Sequence, residues 1–218
     1  MIDNCCFCEE INSPTNNQFY NEIGKNIGLK SRIILQNDDW IVIPSLGSLA
    51  VGHLLAVSRM HYLGIADLQA KELYSLIPMI NNVIEKINLL LNISCIVFEH
   101  GTTSIDAVSA NSVTHCHIHI MPFHYPVWNN IKSEHCINNS KEFSSLNHVY
   151  NYISMYKPCT YLYFMDANNR HYIIDNNRIF PSQFFRKVIA EKLGREKFWD
   201  WKTNPEKDTL LKTLSLFS

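Results

Sequence analysis

Little in this 218-residue sequence points to a charged partner: 19 Lys and Arg stand against 20 Asp and Glu, leaving a net charge of −1. No general attraction to nucleic acid or to an acidic membrane surface follows from that balance, and no extended nucleic-acid surface is expected. No stretch approaches the roughly 20 apolar residues of a spanning helix. The start, Met-Ile-Asp-Asn-Cys-Cys, lacks the basic region and apolar run of a signal peptide. Internal repeats and long low-complexity tracts are missing. So is a disulfide framework, because the seven cysteines are odd in number and three of them crowd into residues 5–8. That usage fits reduced thiols and a metal. Together these absences lead to the expectation of a cytoplasmic protein with no membrane partner. What the chain does have is 46% apolar residues, enough for one large domain or a domain with an appendage.

The densest chemistry lies in Thr114–Pro122, Thr-His-Cys-His-Ile-His-Ile-Met-Pro. His115, His117 and His119 alternate with Cys116, Ile118 and Ile120, the two-residue period of a strand. Neighbours on one strand face lie roughly 6.5–7 Å apart, so the three rings can surround one anionic group. Histidines at strict alternation on an otherwise apolar strand are costly to half-bury without a task. Upstream, Arg32–Gln36 and Trp40–Ile43 read as a hairpin around Asn37-Asp38-Asp39, and His53–Ser58 as a further strand. Residues Ile65–Leu91 carry the apolar spacing of a helix, which Pro78 is expected to kink or divide. Ser94–Phe98 is a buried strand that ends at Glu99-His100-Gly101. Downstream, 123–150 reads as a long loop with room for a short helix. Thr160–Met165 and His171–Ile174 read as a hairpin, Pro181–Gly194 as a helix, and Lys207–Leu216 as a last short helix. An antiparallel sheet with helices on one side is an α+β arrangement.

His-Cys-His-Ile-His-Ile-Met resembles the signature of the histidine triad (HIT) superfamily of nucleotide hydrolases and transferases, and Val51–His61 is similar to the strand that carries a further histidine in that family. The resemblance covers about Cys5 to Pro122. It implies a HIT-like α+β fold, with a catalytic domain over residues 1–125 and a C-terminal α/β extension over 126–218, packed on it. It also implies a homodimer acting on a nucleotide or nucleotide conjugate. The implied reaction is hydrolysis of a nucleoside 5′-phosphoryl bond, of dinucleoside polyphosphate or phosphoramidate type, through a nucleotidyl-histidine intermediate. The nucleophile's role falls on His117, with His119, His53 and His115 around it. Asn111 and Ser112 stand where the family contacts phosphate, and Glu99 stands beside them where several members have asparagine. Ser45 replaces an aspartate that in many members holds the ribose. Transfer to another acceptor and nucleotide binding without turnover are the alternatives. His119 speaks against the uridylyltransferase branch, which has glutamine there, and the complete histidine set speaks against a mere binder.

By spacing, Cys5-x-x-Cys8 is half of a zinc site. Some bacterial members of the resembling family complete it with the histidines that correspond to His61 and His115. The resemblance therefore implies a closed, structural Cys₂His₂ zinc site of Cys5, Cys8, His61 and His115, with Cys6 a bystander. Farther on, Gln183, Arg186 and Lys187 open a helix, where anions are favoured. The other reading of that segment is an amphipathic helix with its charges in solvent.

Overall fold

The computed structural model describes residues 5–103, 113–175 and 180–218. Its strands are β1 (Leu35–Gln36), β2 (Trp40–Pro44), β3 (Leu54–Ser58), β4 (Cys95–Thr102), β5 (His117–Pro122), β6 (Ser140–Phe143), β7 (Thr160–Met165) and β8 (His171–Ile174). They form one antiparallel sheet in the order β1-β2-β3-β5-β4-β7-β8-β6. The helices are α1 (Cys6–Asn12), α2 (Lys25–Ile27), α3 (Ala70–Leu91), α4 (Trp128–Glu134), α5 (Leu146–Tyr156), α6 (Phe184–Lys192) and α7 (Lys207–Phe217). The class is α+β, as the sequence leads one to expect. Among the described residues, no helix is long and apolar enough to cross a membrane.

Helix α3 buries Leu73, Leu76, Met79, Ile80, Val83 and Ile87, a stripe spaced three and four residues apart that lies on the sheet. It runs through Pro78 as one helix, because Pro78 sits on the exposed side, where the Tyr74 carbonyl it leaves unbonded can reach water. Asn92 ends it in the left-handed region, its N–H bonded to the Asn88 carbonyl. Helices α3 and α5 share the core cluster that contains Val42, Ala56, Val97, Ile118 and Ile120. The opposite face, with Phe98, Met121 and Phe164, is covered by α4 and α6 through Trp128, Ile131, Phe184 and Val188. The C-terminal segment thus adds helices to a face that the sequence reading left bare.

The C-terminal strands extend the same sheet. β4 pairs with β7 from Val97↔Met165 to Thr102↔Thr160, and β7, β8 and β6 follow outward. The arrangement is palindromic. β3, α3, β4 and β5 assemble as β3-β5-β4, while β6, α5, β7 and β8 assemble as β6-β8-β7. Helix α5 also ends in a left-handed residue, Lys157, bonded four residues back to Ile153. At the joint Gly101 faces Tyr161, and a Cβ on Gly101 would overlap the tyrosine ring.

Both ends of the chain fold back on the loop between β2 and β3. Arg32 fastens α1 through two 2.7 Å bonds to Glu10, and donates to the Pro44 carbonyl. From the other end, Thr213 of α7 accepts from Gly52 N–H at 3.0 Å, and Gly47 N–H donates to the Pro205 carbonyl at 2.8 Å. Gly47 is left-handed (φ 63°), and a side chain there would strike Trp201. This clamped loop delivers His53.

Candidate active site

Strand β5 lies between β3 and β4, with His119 in register with Leu55 on one side and Phe98 on the other. Its even-numbered residues enter the α3 core and its odd-numbered ones face α6. Phe98 stacks on the His119 ring, 4.5 Å between centroids and 7° from parallel, and Phe185 of α6 packs on Phe98. The ring is held from both sides of its own strand.

Hydrogen bonds fix which ring nitrogen of each histidine carries the proton. Leu49 N–H donates to His53 Nδ1 at 3.2 Å, so the His53 proton is on Nε2. That nitrogen donates to His119 Nδ1 at 2.9 Å, which leaves the His119 proton on Nε2. His117 Nδ1–H donates to the His115 carbonyl at 2.6 Å, so its Nε2 carries a free lone pair. Burial is the first cause that lowers the pKa of all three rings, His53 and His119 well below the ordinary range. The positive charge of Arg186 acts in the same direction on each.

His115 departs from the expectation that the three triad rings share one strand face. It precedes β5, and Cys116 N–H donates to the Tyr62 carbonyl at 2.6 Å. The His115 ring turns to the N-terminal segment, while its main-chain carbonyl serves His117. Its Nε2–H donates to the Ser58 carbonyl at 2.7 Å, leaving Nδ1 toward Cys5 Sγ (3.3 Å) and Cys8 Sγ (3.5 Å). Cys8 Sγ also lies 3.3 Å from His61 Nδ1. The four ligand atoms of Cys5, Cys8, His61 and His115 all lie within 4.8 Å of one another. Zn–S of about 2.3 Å and Zn–N of about 2.0 Å at tetrahedral angles give S···N edges of about 3.5 Å. The donor set and these spacings fit a metal such as zinc.

Glu99 does not join the phosphate site. Phe98 and His119 are paired, so Glu99 points to the opposite face of the sheet. There its carboxylate accepts from Ile65 N–H (3.0 Å) and Tyr161 O–H (2.7 Å), with Cys116 Sγ at 3.6 Å. Burial raises its pKa to about 7. Asn111 and Ser112 lie outside the described residues. Ser45 is buried, its hydroxyl donating to the Leu46 carbonyl at 3.0 Å.

Two residues that the sequence reading did not assign to the triad lie beside it. His100, two residues beyond Phe98 on β4, shares the triad face and lines a cleft with His117 and His119. Its Nδ1 is buried and has no hydrogen-bond partner among the described residues. The alternation that takes Glu99 out of the site brings His100 in, and that signal was present in the sequence. The second is Arg186 of α6, which lines the same cleft. It also lines a neighbouring cleft with Phe7, Ser45, Leu55, Val113 and Trp201. Lys187 is exposed, and Gln183 Nε2 donates to Asp200 Oδ1 at 3.1 Å.

A histidine relay on the central strand of an antiparallel sheet, with a Cys₂His₂ cluster at one end, defines the class by its parts. Residues 28–125 match the HIT domain family. Solved structures with similarity include a Hit-like protein involved in cell-cycle regulation from Bartonella henselae. It is 22% identical, covers 50% of this chain and 77% of its own, and has a TM-score of 0.38. A HIT family protein from Bacillus anthracis is 15% identical over 57% of this chain and 77% of its own, with a TM-score of 0.43. A HIT family hydrolase from Clostridium thermocellum is 19% identical over 56% of this chain and 93% of its own, with a TM-score of 0.35. No curated protein matches the sequence.

Proposed function

We propose that this protein hydrolyses a nucleoside 5′-phosphoryl bond, with His117 as nucleophile. One observation supports this above the others: the 2.6 Å bond from His117 Nδ1–H to the His115 carbonyl, which leaves a lone pair on Nε2 at the cleft. That pair forms a P–N bond at the α-phosphorus, and the bond to the leaving group breaks with its electrons going to that group. The imidazolium so formed keeps its Nδ1–H on the carbonyl. His119 Nε2–H hydrogen-bonds to the oxygen where charge collects, and His53 holds it in that tautomer. Water then adds to phosphorus, the P–N electrons return to His117, and the proton of the water leaves to solvent. The reactant is a nucleotide or nucleotide conjugate.

The Cys5, Cys8, His61 and His115 set would hold a zinc ion whose closed shell supplies structure alone. In this reading, residues 1–125 are the catalytic domain with its metal-binding segment, and 126–218 an extension integrated into its sheet. A homodimer would have to form away from β4, whose outer edge is taken by β7. The test is trapping of a radiolabelled nucleotidyl adduct, quenched in alkaline detergent because the P–N bond is acid-labile, from dinucleoside polyphosphates, phosphoramidates and nucleotide sugars. The adduct should vanish in His117→Ala while the fold remains, with turnover falling by about three orders of magnitude or more. If His117→Ala retains more than about a tenth of wild-type turnover, the assignment fails. Partition of the trapped adduct between water, phosphate and other acceptors distinguishes hydrolase from transferase, and its absence with every substrate leaves a binder.

A further inference from the structure

Arg186 reaches the triad from the C-terminal extension with a charge that no ion pair among the described residues neutralises. It is 3% exposed. Its Nε–H donates to the Trp199 carbonyl at 2.9 Å, and its terminal nitrogens donate to the Gly47 carbonyl at 2.5 Å and Ser45 Oγ at 3.4 Å. All three acceptors are neutral. Among the described residues no carboxylate lies within 4 Å of it. Asp200 acts on it electrostatically from farther off, with Oδ1 engaged by Gln183 and Lys202 N–H. Arg32, buried on the cleft's other flank, makes the contrast: its guanidinium grips Glu10 through two bonds.

A guanidinium has five donors, and three are used here. A buried cation without a counter-charge is costly to keep. Burial lowers the pKa of Arg186 only to about 10, so it remains a cation at neutral pH. Beside it, His100 offers a buried ring nitrogen with no partner among the described residues, and His117 and His119 line the same cleft.

We propose that Arg186 and His100 make this cleft an anion subsite that binds a phosphate group of the substrate directly. Arg186 contributes the charge and His100 a hydrogen bond. The extension thereby supplies the cation of a site whose nucleophile belongs to the HIT domain. This deepens the proposed phosphoryl reaction and rests on it for the identity of the anion; the uncompensated charge stands without it. The subsite favours substrates with a charged phosphate beyond the one attacked over those with a neutral leaving group.

The test is calorimetric titration of the full-length protein with inorganic phosphate, alongside Arg186→Gln and Arg186→Lys, each checked for fold by circular dichroism. Arg186→Gln should weaken phosphate binding by about tenfold or more, and Arg186→Lys by less, because it keeps the charge and loses the fork. Affinity for an uncharged nucleoside should stay the same in both. If Arg186→Gln does not fold, the Arg186 Nε–H resonance of the wild-type protein, identified by its loss in Arg186→Lys, should shift as phosphate is added. A folded Arg186→Gln that binds phosphate like wild type, or an unmoved resonance at saturating phosphate, overturns the subsite. His117→Ala should still bind phosphate. Adduct trapping that fails while phosphate binding depends on Arg186 would remove the proposed reaction and leave the subsite intact.

Discussion

Replacing Glu99 by Gln should make the protein more stable at alkaline pH without touching its chemistry. The carboxylate is 2% exposed, and burial raises its pKa from 4.5 to about 7, against hydrogen bonds from Tyr161, Ile65 and Cys116 that pull it down. In the unfolded chain the group titrates at its ordinary value. Between pH 4.5 and 7 the folded protein therefore holds more of this proton than the unfolded one, and its stability falls as pH rises across that window. Below the window the group contributes no penalty. Above it the full difference applies, about 3 kcal/mol for a shift of this size. A glutamine keeps the acceptor for Ile65 N–H and never ionises.

The assay is urea unfolding of wild type and Glu99→Gln from pH 4 to pH 8, read as the difference between them, so that other titrating groups cancel. The difference should start near zero and grow in favour of the mutant to about 2–3 kcal/mol, the upper figure reduced by imperfect pairing of the amide with Tyr161. A difference that stays flat within about 0.5 kcal/mol would show that Glu99 ionises normally in the folded protein and refute the reasoning. Turnover should stay at the wild-type level, since the carboxylate faces away from His117. A changed substrate preference would return it to the phosphate side.

Elemental analysis should find about one zinc per chain, and Cys8→Ser or metal removal should lower the melting temperature first and the rate second, because His115 joins the cluster to the nucleophile's carbonyl acceptor. A metal-free protein with unchanged melting temperature and full activity would refute this role. Gly101→Ala should destabilise by about 1–3 kcal/mol by forcing the Tyr161 ring off the β4–β7 joint. Equal urea midpoints for the two proteins would show that the joint yields without cost.

The parts of the fold that could be read from the sequence are those whose pattern is local. Alternation exposed β5, continuous apolar runs exposed β3 and β4, and the three- and four-residue spacing exposed α3. Residues 123–150 were read as mostly loop because β6, Ser-Lys-Glu-Phe, is a polar edge strand with no apolar alternation. Helix α5 had a readable stripe in Leu146, Val149 and Ile153 behind a Ser145 cap, but it crosses the end of the supposed loop. The palindrome was invisible because its two halves share topology and not residues. On the triad face β8 presents Tyr172 and Ile174, packed in the core, where β5 presents His117 and His119.

The site divides along the same line. Histidine identity and spacing were legible, yet identity does not set role. His53, His115, His117 and His119 are one side-chain type, and their protons are distributed by Leu49 N–H, the Ser58 carbonyl and the His115 carbonyl. All three are main-chain groups, and the two carbonyls lie at the end of β3 and just before β5. A substitution that moves such a carbonyl by an ångström, with every histidine in place, would return the His117 lone pair to the wrong nitrogen. Arg186 depends on still longer connections. Its charge is held beside the triad by the Trp199 carbonyl, the Gly47 carbonyl and Ser45 Oγ, and the loop that carries the last two lies more than 130 positions upstream and is tied to Thr213 of α7 through Gly52 N–H. The triad pattern is therefore written in nine residues, and the conditions under which it could act as proposed are distributed over both ends of the chain.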